Sequence, residues 1–110
     1  MINQSEWEPI LFNLGNAYRR MKQFSLAIEA YEQAMQMAPK QASIYSSLGF
    51  TYHMIGNINK AIEYYHKALA HNSPHQQDTL TASLLAKALE QLADMKVETV
   101  LTQQQQQQQQ

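Results

Sequence analysis

Few side chains in this sequence of 110 residues are of the types that carry out chemistry. His71 and His75 have the i, i+4 spacing of a metal-binding pair, but Pro74 between them would break any helix that brought them to one face. Asp78 and Asp94 are the only aspartates, and neither accompanies a nucleophile and base in a catalytic arrangement. The sequence therefore predicts no metal site, no cofactor and no enzymatic activity.

Composition narrows the class of protein further. Eight Lys and Arg stand against nine Asp and Glu, which disfavours nucleic-acid binding, and three glycines do not form a phosphate-binding loop. The absence of cysteine excludes disulfides and thiolate metal sites. The apolar runs are too short for a membrane span, and the first six residues do not resemble a signal peptide. We expect an intracellular protein of the nucleus or cytoplasm, without nucleic-acid or membrane partners.

One pattern of large, small and aromatic residues occurs twice, 34 residues apart. The first copy comprises Leu11, Leu14, Gly15, Tyr18, Ala27, Tyr31, Ala34 and Pro39. The second copy matches it in seven positions: Tyr45, Leu48, Gly49, Tyr52, Ala61, Tyr65 and Ala68. At the eighth position Ser73 replaces proline, which has moved one place to Pro74. A period of this length is typical of a helical repeat.

Hydrophobic periodicity predicts five helices, over about 9–21, 24–37, 42–55, 58–71 and 76–96. Turn and helix-ending residues separate them, at Lys22-Gln23, Pro39, Gly56-Asn57 and Asn72-Ser73-Pro74. The glutamines of 103–110 have no apolar side chain to bury, so we expect the end of the chain to be disordered.

Small residues of the pattern occupy the points where we expect helix backbones to cross. Within each unit the crossing residues are Gly15 with Ala27 and Gly49 with Ala61, and those that admit the next unit are Ala34 and Ala68. Large residues are expected to fill the spaces between: Leu14, Tyr18, Tyr31, Leu48, Tyr52 and Tyr65. A bulky side chain at a crossing point is expected to cost about 1–3 kcal/mol.

These positions resemble the signature of the tetratricopeptide repeat (TPR), with Leu11 and Tyr45 where that family often has tryptophan. The resemblance implies an all-α, right-handed α-solenoid of helix-turn-helix units. Units at 8–41 and 42–75 would follow an extension at 1–7, and a disordered Gln-rich tail would occupy 98–110. A degenerate third unit or capping helix is expected at 76–97, where a slide of three residues puts Leu85, Ala86 and Leu89 on signature positions.

The resemblance also implies a concave groove, lined by the first helix of each unit, that binds an extended peptide. The groove residues would be Phe12, Asn16, Arg19, Arg20, Ser46, Phe50 and His53. In this hypothesis the phenylalanines contact apolar side chains and Arg19 or Arg20 pairs with a carboxylate. The alternative for the two arginines is that they only solvate a helix end and favour its dipole.

Chaperone-binding members of the family hold a peptide's terminal carboxylate in a clamp of lysine, asparagine and arginine. Of the five clamp positions only Asn16 matches, and the other four hold Phe12, Ser47, Gln77 and Thr81. We therefore expect no co-chaperone function.

Several stretches outside the signature resemble the C-terminal repeats of the Cdc16-type TPR scaffold subunit of the anaphase-promoting complex. They are Glu8-Pro9, Asn13-Leu14-Gly15, Ala42–Ser46, Gly56-Asn57, Ala61–Leu69 and Asp78-Thr79-Leu80. The resemblance implies a non-catalytic role in a nuclear ubiquitin ligase that drives mitotic progression. The implied partners are a companion subunit's extended peptide, other TPR subunits and a second copy in a homodimer.

Two other functions stay open at this point. The chain would serve as an adaptor for an unrelated peptide, or it would be the detached repeat region of a TPR-containing glycosyltransferase. Because two units leave the flanks of their end helices uncovered, Trp7 and the Leu80–Leu92 stripe are candidate contacts with a partner.

Overall fold

The computed structural model describes residues 4–72 and 78–108. Five helices cover them: α1 (Gln4–Arg20), α2 (Phe24–Met37), α3 (Ala42–Met54), α4 (Ile58–Ala70) and α5 (Thr79–Gln108). No strand occurs in these two ranges, which confirms the all-α prediction. Ser73, Pro74, His75 and Gln77 lie outside the described residues, so the prediction that Pro74 keeps His71 and His75 from sharing a helix face falls there as well.

The helices follow one another as a right-handed α-solenoid. α1 packs against α2 and α3 against α4, and each of these pairs is one helix-turn-helix unit. The second helix of each unit contacts the first helix of the next, so α2 packs against α3 and α4 against α5. The first helices α1, α3 and α5 are neighbours on one face.

The turns inside the two units have the same backbone geometry. Lys22 and Gly56 adopt left-handed conformations, with φ of 61° and 85°. The N–H of Gln23 donates to the carbonyl of Tyr18 at 2.8 Å, and the equivalent bond after Gly56 measures 2.9 Å. This arrangement satisfies carbonyls that the end of the helix leaves without partners.

The glycines of the two units each lie under a tyrosine ring. A Cβ at Gly15 would come within 2.6 Å of the Tyr31 ring, and a Cβ at Gly49 would come equally close to the ring of Tyr65. Both tyrosines are fully buried. The alanines that were expected at these helix crossings and at the junctions between units are fully buried as well: Ala27, Ala34, Ala61 and Ala68. Short side chains here allow the helices to approach closely.

Several signature residues are less buried than the pattern suggests. Leu14 is exposed whereas Leu48 is buried, because the structure places a preceding helix, α2, against α3 but none against this face of α1. Tyr18 and Tyr52 are half-buried. Pro39 is exposed, and its carbonyl accepts a hydrogen bond from the hydroxyl of Tyr45.

Both ends of the helical region differ from the expected bounds. α1 begins at Gln4 and contains Pro9, whose missing N–H removes one hydrogen bond without ending the helix. α5 continues to Gln108, through the segment 98–108 that was expected to be disordered. Glutamine has nearly the helix propensity of leucine or lysine, and a helix that already exists is extended without a new nucleation step. The extension therefore needs no buried surface, and residues 93–108 are all exposed.

Candidate peptide-binding groove

A cleft of about 350 Å³ lies on the face that α1, α3 and α5 share. Its lining residues are Arg19, Ser46, Ser47, Phe50, Leu80, Thr81 and Leu84. The three helices thus bring Arg19, Ser46 and Phe50, which were predicted as groove residues, to one site. The walls are mainly apolar, and among the described residues that line the cleft Arg19 is the one with a charged side chain.

Arg19 joins the first unit to the second at the edge of this cleft. Its Cζ lies 5.3 Å from the centroid of the Phe50 ring, within the range of a cation–π contact. Its Nε donates to the hydroxyl of Tyr31 at 3.3 Å. These two contacts fix the guanidinium beside an apolar wall. The arrangement suits a ligand that carries an apolar side chain next to a carboxylate.

Phe12 and Asn16 lie beside Tyr31 and do not line the cleft. The Phe12 and Tyr31 rings are tilted to each other, with centroids 5.8 Å apart. The side-chain oxygen of Asn16 accepts a short hydrogen bond from the Tyr31 hydroxyl. Both residues therefore hold the buried tyrosine that in turn positions Arg19.

Arg20 is exposed at the end of α1 and is not among the residues that line the cleft. Successive residues of an α-helix point about 100° apart, so Arg19 and Arg20 do not face the same groove. Of the two arginines predicted for a carboxylate contact, the structure brings only Arg19 to the site.

His53 connects three helices a few residues further along α3. Its Nδ1 lies 3.0 Å from the Tyr65 hydroxyl on α4 and its Nε2 lies 2.6 Å from the side-chain oxygen of Gln91 on α5. Burial raises the pKa of Tyr65 to about 12, so the hydroxyl keeps its proton. A neutral imidazole satisfies both contacts when Tyr65 donates to Nδ1 and Nε2–H donates to Gln91.

The start of α5 supplies residues at the cleft that were not among the predicted groove residues. Asp78 accepts from the backbone N–H of Thr81 at 2.9 Å, as a helix cap does, and the Thr81 hydroxyl lies 2.9 Å from that of Ser46. Burial alone would raise the pKa of Asp78, but hydrogen bonds from Thr81, Asn72 and Ser46 hold it below its usual value. The spacing of Asp78 and Thr81 is that of a helix cap, a signal that the sequence analysis did not use. The cap fixes where α5 begins, and Leu80 and Leu84 of that helix line the cleft.

Models of the tetratricopeptide repeat match residues 15–56 and 42–74. The chain belongs to the tetratricopeptide repeat family. The two matches together run from residue 15 to residue 74 and include the junction of the two units, where the Arg19–Phe50 contact lies.

This TPR chain is similar to subunits of the anaphase-promoting complex. It is 43% identical over 83 residues to "Anaphase-promoting complex subunit 6" of Dictyostelium discoideum, which covers 76% of the chain and 9% of that relative. It is 33% identical over 89 residues to "Cell division cycle protein 16 homolog" of Homo sapiens, covering 81% of the chain and 14% of the relative. The chain thus spans only a small part of the length of these relatives.

A solved structure shares the fold of this TPR chain. The crystal structure of the anaphase-promoting complex hetero-tetramer Cut9–Hcn1 superimposes with a TM-score of 0.73 and 29% sequence identity. The matched region covers 81% of this chain and 16% of the matched chain.

Among residues 4–72 and 78–108, no three His, Asp or Glu side chains lie close enough together to hold a metal ion. His71 stacks on the Tyr45 ring, with centroids 5.2 Å apart. Within the same ranges, none of the helices combines the length and the apolar character needed to cross a membrane.

Proposed function

We propose that this chain is a non-catalytic scaffold that binds an extended segment of a partner protein in the groove between α1, α3 and α5. The observation that carries the proposal is the cleft that includes the fixed Arg19–Phe50 pair. Main-chain groups of an extended peptide would lie along the three helices, with an apolar side chain in the cleft and a carboxylate at Arg19.

The assembly that this scaffold serves is, in our proposal, the anaphase-promoting complex. The similarity to its subunits in Dictyostelium and human, and to Cut9 in complex with Hcn1, supports this assignment. The chain would then contribute to ubiquitin-dependent mitotic progression in the nucleus and cytoplasm by holding subunits together. Its partners would be an extended companion peptide and other TPR subunits.

Affinity purification from mitotic cells tests this function. The full chain is immobilised, mitotic extract is passed over it, and the retained proteins are quantified by mass spectrometry. We expect enrichment of subunits of the anaphase-promoting complex. Retention should fall with Phe50→Ser and stay unchanged with Leu26→Ser, because Leu26 is an exposed residue of α2 that does not line the cleft.

The alternatives give different results in the same experiment. Enrichment of chaperones or transport factors without ligase subunits would contradict the proposed assembly and support an adaptor for another peptide. Equal retention of ligase subunits by Phe50→Ser and Leu26→Ser, with both variants folded by circular dichroism, would contradict the groove.

A further inference from the structure

Equivalent residues of the two units lie at the two junctions of the groove. Arg19 in the first unit corresponds to His53 in the second, 34 residues later. Arg19 donates to the hydroxyl of the buried Tyr31 at 3.3 Å. A ring nitrogen of His53 lies 3.0 Å from the hydroxyl of Tyr65, the residue equivalent to Tyr31. Each junction therefore holds a side chain of the first helix against a buried tyrosine, but the first is a guanidinium and the second an imidazole.

A second cleft, of about 430 Å³, opens beside His53, and we call it the Asp94 cleft. Its lining residues are His53, Gly56, Ile58, Gln91, Asp94 and Met95. With His53 neutral, as its contacts with Tyr65 and Gln91 allow, Asp94 is the one charged side chain among these described lining residues. The Asp94 cleft thus presents a carboxylate at the junction of α3 and α5, whereas the first cleft presents a guanidinium at the junction of α1 and α3.

The other groups of the Asp94 cleft suit a cation. The N–H of Gly56 donates to the carbonyl of His53 and the N–H of Ile58 to the carbonyl of Gly56, each at 3.1 Å. The backbone donors of these two lining residues are therefore already used and do not attract an anion. Ile58 and Met95 are apolar, and the stem of a lysine or arginine can lie along them while its charged end reaches Asp94.

The two clefts are spaced for one extended segment. Leu84 lines the first cleft, Asp94 lines the second, and both residues are on α5. Asp94 follows Leu84 by ten residues, which corresponds to a rise of about 15 Å along the helix. An extended peptide covers that distance in about four or five residues. A single bound segment can therefore place one side chain in each cleft.

We infer that the Asp94 cleft binds a lysine or arginine of the same segment whose acidic residue reaches Arg19. The inference rests on the proposed function, because it requires an extended segment in the groove. It adds the charge pattern that the groove selects, which is an acidic and a basic residue about four or five positions apart. The order of the two charges also fixes the direction in which the segment runs, since the reversed direction would bring like charges together.

A phage-displayed library of random peptides is the probe for this pattern. It is selected separately on the immobilised full chain, on Asp94→Lys and on Glu29→Lys. The last variant is the matched control, because it reverses an acidic charge on α2, where Glu29 is exposed and lines neither cleft. We expect the wild type and Glu29→Lys to enrich peptides with a basic residue about four or five positions from an acidic one. Asp94→Lys should keep the acidic residue and lose the basic one.

Fluorescence anisotropy with one enriched peptide then measures the contact. Asp94→Lys should weaken binding by about tenfold, and exchange of the peptide's basic residue for glutamate should restore most of that affinity. Glu29→Lys should change the affinity by less than about twofold. Asp94→Asn, which keeps the shape of the side chain and removes its charge, should give an intermediate loss. This second variant decides the case in which the charge reversal disturbs folding, as measured by circular dichroism.

The results separate this inference from the proposed function. Enrichment of the acidic residue alone by the wild type would overturn the inference and leave the groove at Phe50 standing. Equal affinity of Asp94→Asn and the wild type for the enriched peptide would do the same. Peptides enriched equally by the wild type and by Phe50→Ser, or no enrichment by the wild type, would contradict the proposed function and the inference with it.

Discussion

The two repeat units of this chain share a signature but differ in what surrounds it. Ile44 and Leu48 in the second unit are fully buried, whereas their equivalents in the first unit, Ile10 and Leu14, are 44% and 41% exposed. The close contacts inside each unit are nevertheless the same, with a tyrosine ring against a glycine in both. Contacts within a unit thus follow from its own sequence, while the burial of its outer face depends on the neighbouring unit.

The largest expected difference between the units concerns the paired leucines. Leu48→Ala should lower the free energy of unfolding by about 3 kcal/mol, because it leaves a cavity in a packed core. Leu14→Ala should lower it by less than about 1 kcal/mol, because the side chain is already partly in water. Urea unfolding followed by circular dichroism measures both values. Equal losses would show that a neighbour covers α1 in the isolated chain.

The crossing points should be sensitive to added volume. Gly49→Leu should destabilise the chain by about 2 kcal/mol, because its Cβ would meet the Tyr65 ring and the rest of the side chain would overpack the contact. Ser47→Leu on the same helix is the control and should lower the melting temperature far less, because Ser47 lies at the cleft. Thermal unfolding compares the two, and similar melting temperatures would refute the assignment of Gly49 to the crossing.

The turns of the two units place different residues in the left-handed conformation. Lys22 adopts φ of 61° and Gly56 adopts φ of 85°. Since a side chain disfavours this region, Lys22→Gly should raise the free energy of unfolding by up to about 1 kcal/mol. Gly56→Lys should lower it by a similar amount. Denaturant midpoints test the pair, and a loss of stability in Lys22→Gly would show that the first turn depends on the lysine side chain.

Much of the fold was accessible from the sequence, because the signature encodes contacts inside a unit. The 34-residue period predicted the helix pairs, and the glycine and alanine positions predicted where backbones approach. The exposure of Leu14 was not predicted, because the signature assumes neighbours on both sides. The helical end of α5 was missed for a different reason: low complexity was interpreted as disorder, although glutamine is compatible with a helix.

The residues that line the cleft were predicted in part, for reasons of geometry. Arg19, Ser46 and Phe50 line the cleft, because repeat positions on α1 and α3 face the same side. Arg20 does not, since adjacent helical residues point in different directions. The contribution of Leu80, Thr81 and Leu84 to the cleft depends on where α5 begins. The three-residue slide of the third unit made that starting residue hard to predict from the sequence.

The smallest predicted effect concerns Asp78, the residue that caps the start of α5. The pKa of Asp78 is lowered in the folded chain, so its carboxylate stabilises the fold above the unfolded pKa and this stabilisation is lost as pH falls through the folded pKa. Asp78→Asn should retain a cap while making stability depend less on pH between pH 7 and pH 3. Unfolding of wild type and variant at both pH values measures the difference. An unchanged pH dependence in the variant would show that Asp78 does not contribute to it.

The central claim is that the scaffold binds its partner between the two units, at Arg19. The most direct test compares Arg19→Glu with Arg20→Glu in affinity purification from mitotic extract, because the two variants make the same charge change at adjacent positions and only Arg19 lines the cleft. We predict that Arg19→Glu loses most of the retained anaphase-promoting-complex subunits while Arg20→Glu keeps them. Equal retention by the two variants would contradict the account.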